Sequence, residues 1–249
     1  MLKSFRAALA LSVITLSAFA TSSAFAAPLK VVASFTVIAD FAKNVGGDRV
    51  NITTIVGPDA DAAEGAGTGG GKTVNDPHAF QSIANAKIYV KNIADAFCAA
   101  DSAGCDSYKA NAAAYTQKLD ALEGEVTAAI QAIPEAKRVV ITSHDAFGYF
   151  EHAYGLTFLA PQGISTDSEP SAADVAKLVN QVKQDKAAAI FIENITNPRL
   201  IEQIASETGI KVGGTLYSDA LSPPDGPAST YIDMMHNNIE QFKGALLGS

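Results

Sequence analysis

Several absences narrow what this 249-residue chain can be. Basic residues are scarce, 18 Lys and Arg against 26 Asp and Glu. A surface of that sign has no counterion-release term to gain from phosphate, which argues against nucleic acid as a partner. Beyond residue 26 no continuous apolar run reaches membrane-spanning length. The chain also lacks a Gly-x-Ser-x-Gly nucleophile motif and a His-Glu-x-x-His zinc motif. Gly71-Lys72-Thr73 does end a glycine-rich stretch, but no apolar strand leads into it, which argues against an ATP site. A metal-dependent hydrolase is therefore disfavoured, and the chain is read as a non-enzyme. Only two cysteines are present and neither adjoins a His, which argues against thiol catalysis or a thiolate metal site.

What is present begins with Lys3 and Arg6, an apolar run over 7–19, and Ala24-Phe25-Ala26 before Ala27-Pro28. This is the pattern of a secretory signal peptide, residues 1–26, cleaved after Ala26. No Cys stands at that cleavage point, which argues against a lipid anchor and for a soluble exported protein. Removing the peptide takes away Lys3 and Arg6 and no acid, leaving 16 basic and 26 acidic residues, a formal charge of −10. In an oxidising compartment Cys98 and Cys105, which flank the turn-like 101–104, are expected to form a local disulfide; two unpaired thiols are the alternative.

The mature chain opens as β-α-β: strand 29–34, helix 37–45, strand 50–56. Gly57-Pro58 stops the second strand, and the stretch 62–72 is a glycine-rich linker with too little apolar surface to form a core element. Pro77, one residue after Asp76, predicts a helix start that runs on through Ile93. Apolar residues at Tyr115, Leu119, Leu122, Val126 and Ile130 then predict a long helix over 108–133. From Arg138 four βα units follow, with strands at 138–142, 157–160, 188–193 and 212–216 and helices at 147–154, 171–184, 198–208 and 229–246. The fold class is α/β, with parallel sheets in two lobes joined by the long helix. Its parts are an N-terminal lobe over 27–107, the connecting helix over 108–133 and a C-terminal lobe over 138–249, each lobe with its own core.

Ligands of parallel sheets bind beyond the carboxyl ends of the strands. There stand Ser143-His144-Asp145, Glu193-Asn194 and Tyr217-Ser218-Asp219. His144 and Asp219 share one cleft, and His78 at the start of a helix in the other lobe can add a third group. Two imidazoles and a carboxylate suit zinc or manganese. The plainer alternative is that such residues are helix caps or solvated side chains. Asp145 and Glu193, acidic and beside strand ends, are candidates to orient a ligand imidazole, and Asp145 is equally a candidate cap. His152 and His236 read as helix surface or packing residues.

The wording of the motifs carries more than their spacing. The stretches are Val31-Val32-Ala33-Ser34-Phe35, Gly57-Pro58-Asp59-Ala60-Asp61, Asp76-Pro77-His78, Ser143-His144-Asp145-Ala146-Phe147-Gly148-Tyr149-Phe150, Glu169-Pro170-Ser171-Ala172 and Leu216-Tyr217-Ser218-Asp219-Ala220-Leu221. Together they resemble the metal-binding proteins of ABC importers for zinc and manganese, the cluster A-I family. The resemblance implies a periplasmic, monomeric solute-binding protein that holds a divalent metal, zinc or else manganese, between two lobes and delivers it to an importer permease. It carries over His78, His144 and Asp219 as ligands.

One departure stands beside the match. Where the family places its first His, after the Gly-Pro-Asp-Ala-Asp stretch, this chain has Ala63, and it passes straight to Asp-Pro-His through the glycine-rich linker. The N-terminal lobe is therefore expected to be shortened, with three ligands left of four. Asp59, Asp61 or Glu64 are possible oxygen substitutes, against the simpler reading of solvated carboxylates. The competing function is a metal-incompetent remnant or an interaction protein of the same fold.

Overall fold

The computed structural model describes residues 27–59, 76–164, 166 and 170–248. The signal peptide over 1–26, the linker over 62–72, Ala63, Asp61, Glu64, the Gly71-Lys72-Thr73 tripeptide and Glu169 lie outside the described residues.

Strand β1 (Leu29–Ala33), helix α1 (Thr36–Gly46) and strand β2 (Val50–Thr54) form the expected opening unit, with β1 and β2 parallel and Leu29 opposite Val50. Helix α1 buries Val37, Phe41 and Val45, a spacing of four that keeps one apolar stripe on the core. At its end Gly47 adopts φ +54 and lets the chain reverse into β2. Among the described residues this sheet has only two strands. One of its faces is open, with Val32 69% and Ile55 74% exposed. Parallel strands are ordinarily covered on both faces, and among the described residues no element packs on this second face.

The helix predicted from Asp76 starts later. His78–Gln81 form a single 3-10 turn, Ser82 is extended (φ −93, ψ 123), and α2 runs Ile83–Ala100. Tertiary partners explain the break. An unbroken helix needs the Ile83 N–H for the Ala79 carbonyl, but that N–H donates to the Tyr154 hydroxyl at 3.1 Å. The Phe80 carbonyl in turn accepts from the Tyr231 hydroxyl at 2.7 Å. Helix α3 (Cys105–Gln131) follows after a short turn stapled by the Cys98–Cys105 disulfide. It buries Tyr108, Ala112, Tyr115, Leu119, Leu122, Val126 and Ile130 along one stripe.

The remaining elements are β3 (Val139–Ile141), α4 (Gly148–Tyr154), β4 (Thr157–Leu159), α5 (Ala172–Asp185), β5 (Ala189–Glu193), α6 (Arg199–Thr208), β6 (Val212–Leu216) and α7 (Tyr231–Leu247). The four strands are parallel in the order β4-β3-β5-β6. Period-two alternation decides which helices cover which face. Ala189 and Phe191 of β5 pack with α3 and α7, and Ile190 between them packs with Val179, Val182, Ile201 and Ile204 of α5 and α6.

The expectation of one core per lobe is corrected here. A single hydrophobic cluster runs from Phe41 and Val45 of α1 through α2 and α3 to Phe150, Phe191 and Phe242. Phe41 meets the ring of Tyr231 edge-on at 4.8 Å. The long helix is thus embedded in a shared core, because its buried stripe faces both halves. Among the described residues no helix is long and apolar enough to cross a membrane.

Candidate metal centre

The strand order places a topological switch between β3 and β5, since the chain leaves β3 toward β4 and returns to the other side of β3 as β5. Crevices at such switches are where open α/β sheets bind ligands. His144 follows β3 there, and Glu193 ends β5. One carboxylate oxygen of Glu193, Oε1, accepts the backbone N–H groups of Ser143 and His144 at 2.7 and 2.9 Å. The other, Oε2, lies 2.7 Å from His144 Nδ1, close enough for an ion pair although off line for a hydrogen bond.

Asp219 comes from the segment after β6. Asn238 of α7 anchors that exit by accepting the Tyr217 N–H at 2.9 Å and donating to the Tyr217 carbonyl at 2.8 Å. The Asp219 carboxylate then bridges two rings, with Oδ1 2.8 Å from His78 Nε2 and Oδ2 3.0 Å from His144 Nε2. His78 arrives from the 3-10 turn of the other half. Its backbone N–H and its Nδ1 both meet Asp76 Oδ1, at 2.9 and 2.7 Å.

Both imidazoles are fully buried and Asp219 is 2% exposed. Their ligand-type atoms all lie within 4.8 Å of one another. Both Nε2 atoms and Asp219 Oδ2 are buried without a hydrogen bond. Orphaned buried polar atoms are costly, and three of them converging is the donor set a divalent cation satisfies.

Without a cation the cluster holds protons instead. Burial works against charging His78, yet the Asp219 and Asp76 carboxylates outweigh it and push its pKa up to about 9. Burial likewise opposes His144, and Glu193 with Asp219 push it up to about 11. Burial alone would raise Asp219, but contacts with His144 and His78 hold it well below the usual carboxylate range.

The structure brings His78, His144, Asp219 and Glu193 together and leaves Asp145 out. Asp145 is exposed, its backbone N–H donates to the Gly163 carbonyl at 3.2 Å, and helix α4 begins at Gly148 with no side-chain cap. The acid that pairs with His78 is Asp76, which the sequence shows only as a helix-start residue two positions before the His. Asp59 is committed elsewhere: its Oδ1 accepts from Asn194 at 2.9 Å and its N–H donates to the Leu221 carbonyl at 3.2 Å. His152 is exposed on α4, and His236 faces Glu125 at 2.8 Å on the surface of α7.

The chain as a whole is similar to known metal-binding proteins. The family described as zinc-uptake complex component A, periplasmic, matches in two pieces, residues 31–66 and 62–245, which meet within the glycine-rich stretch. The manganese-binding lipoprotein MntA of Halalkalibacterium halodurans is 28% identical, with 88% of each chain covered. That alignment spans 265 positions, whereas 88% of 249 residues is about 219, so about 46 positions face no residue of this chain. The iron ABC transporter substrate-binding lipoprotein MtsA of Streptococcus pyogenes is 31% identical over 70% of this chain and 56% of its own. The periplasmic zinc-binding protein TroA of Treponema pallidum superposes with a TM-score of 0.80 at 26% identity, covering 89% of this chain and 99% of its own.

Proposed function

Because the chain belongs to the periplasmic zinc-uptake complex component A family, we propose that it captures zinc outside the cytoplasm through His78, His144 and Asp219 and delivers it to the permease of an ABC importer. At the level of the family it is a metal-binding component of an ABC transporter and not an enzyme. The observation that carries the proposal is the convergence of three buried, unbonded ligand atoms, each imidazole backed by its own carboxylate. Carboxylate backing of a ligand His fixes its ring and raises its basicity. Two imidazoles with one carboxylate favour zinc over manganese, which prefers a harder, more oxygen-rich set. Relatives are named for manganese and for iron as well as zinc, so manganese is the alternative cargo. The described residues supply three ligands, and zinc held by three protein ligands would keep a position open to water.

Equilibrium dialysis of the mature protein with zinc and, separately, manganese tests this. Zinc is retained in preference, and His144→Ala abolishes retention. Equal retention by both proteins would remove His144 from the site.

A second reading, a metal-incompetent remnant of the same fold, is favoured by one observation. The family model matches in two pieces, residues 31–66 and 62–245, and not as one continuous stretch. A thermal melt separates the two readings. A cation selective for the native state at 100 times its Kd stabilises by about 2.7 kcal/mol. No rise in Tm with excess zinc or manganese would favour the remnant.

A further inference from the structure

His78 and Asp219 come from opposite halves of the molecule, so something must set the distance between them. The turn carrying His78 is tied down at three of its carbonyl or amide groups. Asp76 holds the His78 N–H, Asn85 donates to the Ala79 carbonyl at 3.1 Å, and Tyr231 donates to the Phe80 carbonyl. None of those contacts reaches the segment carrying Asp219. The last residue of the turn does. Gln81 is fully buried, and its Nε2 donates to the Ser218 carbonyl at 2.7 Å.

That carbonyl belongs to the peptide joining Ser218 to Asp219. A hydrogen bond to it fixes the plane of the peptide, and with it the direction in which the Asp219 side chain leaves the backbone. The Asp219 carboxylate spans both imidazoles, so a tilt of the plane moves Oδ1 and Oδ2 relative to His78 and His144 together. The Gln81 Oε1 and the Ser218 Oγ are both buried and unbonded. The fold therefore keeps a long amide in an otherwise unfavourable place, with one good contact to show for it.

We propose that Gln81 is a positioning residue for metal capture, its amide holding the Asp219 peptide against the His78 turn so that ligands from the two halves stay in register. This rests on the proposed metal site. It adds a residue whose hydrogen bond goes to the backbone beside a ligand and not to a ligand side chain.

Gln81→Met tests it, since Met has similar volume and cannot donate. The measurements are zinc affinity by competition with a chromophoric chelator, the visible d–d spectrum of the cobalt-loaded protein, and the melting of the metal-free protein. The expected result is a roughly 10- to 100-fold weaker zinc Kd, the size typical for groups that orient metal ligands. A changed cobalt spectrum accompanies it, a readout that simple loss of packing leaves alone. Gln81→Asn, polar but one methylene too short to reach Ser218, gives the same loss and serves if the Met variant does not fold. Zinc affinity within twofold of the parent and an unaltered cobalt spectrum in either variant would overturn the inference. His144→Ala, run in parallel, separates the two failures. If it loses zinc while Gln81→Met keeps it, the site stands and the role of Gln81 falls. If it keeps zinc, the site falls and the inference with it.

Discussion

Glu193 serves His144 twice, receiving the backbone N–H of that residue through Oε1 and facing its Nδ1 through Oε2 at 2.7 Å. Backbone and ring are thus aligned by one carboxylate from the neighbouring strand, which leaves Nε2 turned toward Asp219.

Replacing Glu193 by Gln keeps the shape and removes the charge opposite Nδ1. Zinc affinity is expected to fall roughly 10- to 100-fold. Glu193→Ala adds a stability cost, because the Ser143 and His144 N–H groups are left unpaired in the interior. About 1–3 kcal/mol per unsatisfied group is the scale, read by urea unfolding of the metal-free protein. Parental affinity in Glu193→Gln would remove its assigned role.

Metal capture should release protons. In the metal-free protein His78 and His144 titrate near 9 and 11, so below about pH 9 both rings must each lose a proton to coordinate. Zinc affinity therefore rises with pH, approaching two protons per metal between pH 6 and 8. Calorimetry in buffers of different ionisation enthalpy counts them. A pH-independent affinity over that range would contradict the site.

The same shifts set the stability of the metal-free protein. The His78 and His144 pKa values are raised on folding, so their contribution is complete below the ordinary value of 6.5 and is lost as pH climbs through about 9 and then about 11. Asp219 is depressed, so its contribution is present above the ordinary value of 3.8 and disappears as pH falls. Metal-free Tm should peak between those two ordinary values. A Tm that increases from pH 7 to 9 would contradict the sign.

The exposure of Val32 on the β1–β2 sheet predicts tolerance. Val32→Thr, 69% exposed, should change stability by no more than about 0.5 kcal/mol. Ile190→Ala, fully buried between α5 and α6, should cost about 2–5 kcal/mol. Chemical denaturation of both variants checks the contrast, and a large cost at Val32 would mean that this face is covered.

Tyr231→Phe should cost about 1–2 kcal/mol, since it leaves the buried Phe80 carbonyl without its donor. Its effect on zinc affinity should be smaller than that of Gln81→Met, because Tyr231 ties the turn to α7 and not to the Asp219 segment. The reverse ranking would assign the positioning role to Tyr231.

Much of this protein is local enough to be read from sequence. The α3 stripe from Tyr115 to Ile130 and the strand–helix alternation after Arg138 follow from side-chain periodicity. Periodicity is set by 3.6- and 2-residue repeats within one element and needs no partner. His78, His144 and Asp219 are legible because each lies within a recognisable short motif. The close spacing of Cys98 and Cys105 likewise pointed to the disulfide that the structure contains.

Tertiary structure decided whatever depends on residues far apart in the chain. The 3-10 turn at His78 exists because Tyr154 and Tyr231, 71 and 151 residues away from their partners, take the polar groups a helix would use. Gln81 reaches Ser218 across 137 residues. Asp145 and Glu193 are equally acidic and equally placed at strand ends in the sequence. Only the strand order β4-β3-β5-β6 puts Glu193 beside His144 and leaves Asp145 in solvent. The shared core arises the same way, since a buried stripe on α3 does not say which elements it meets until the chain has folded around it.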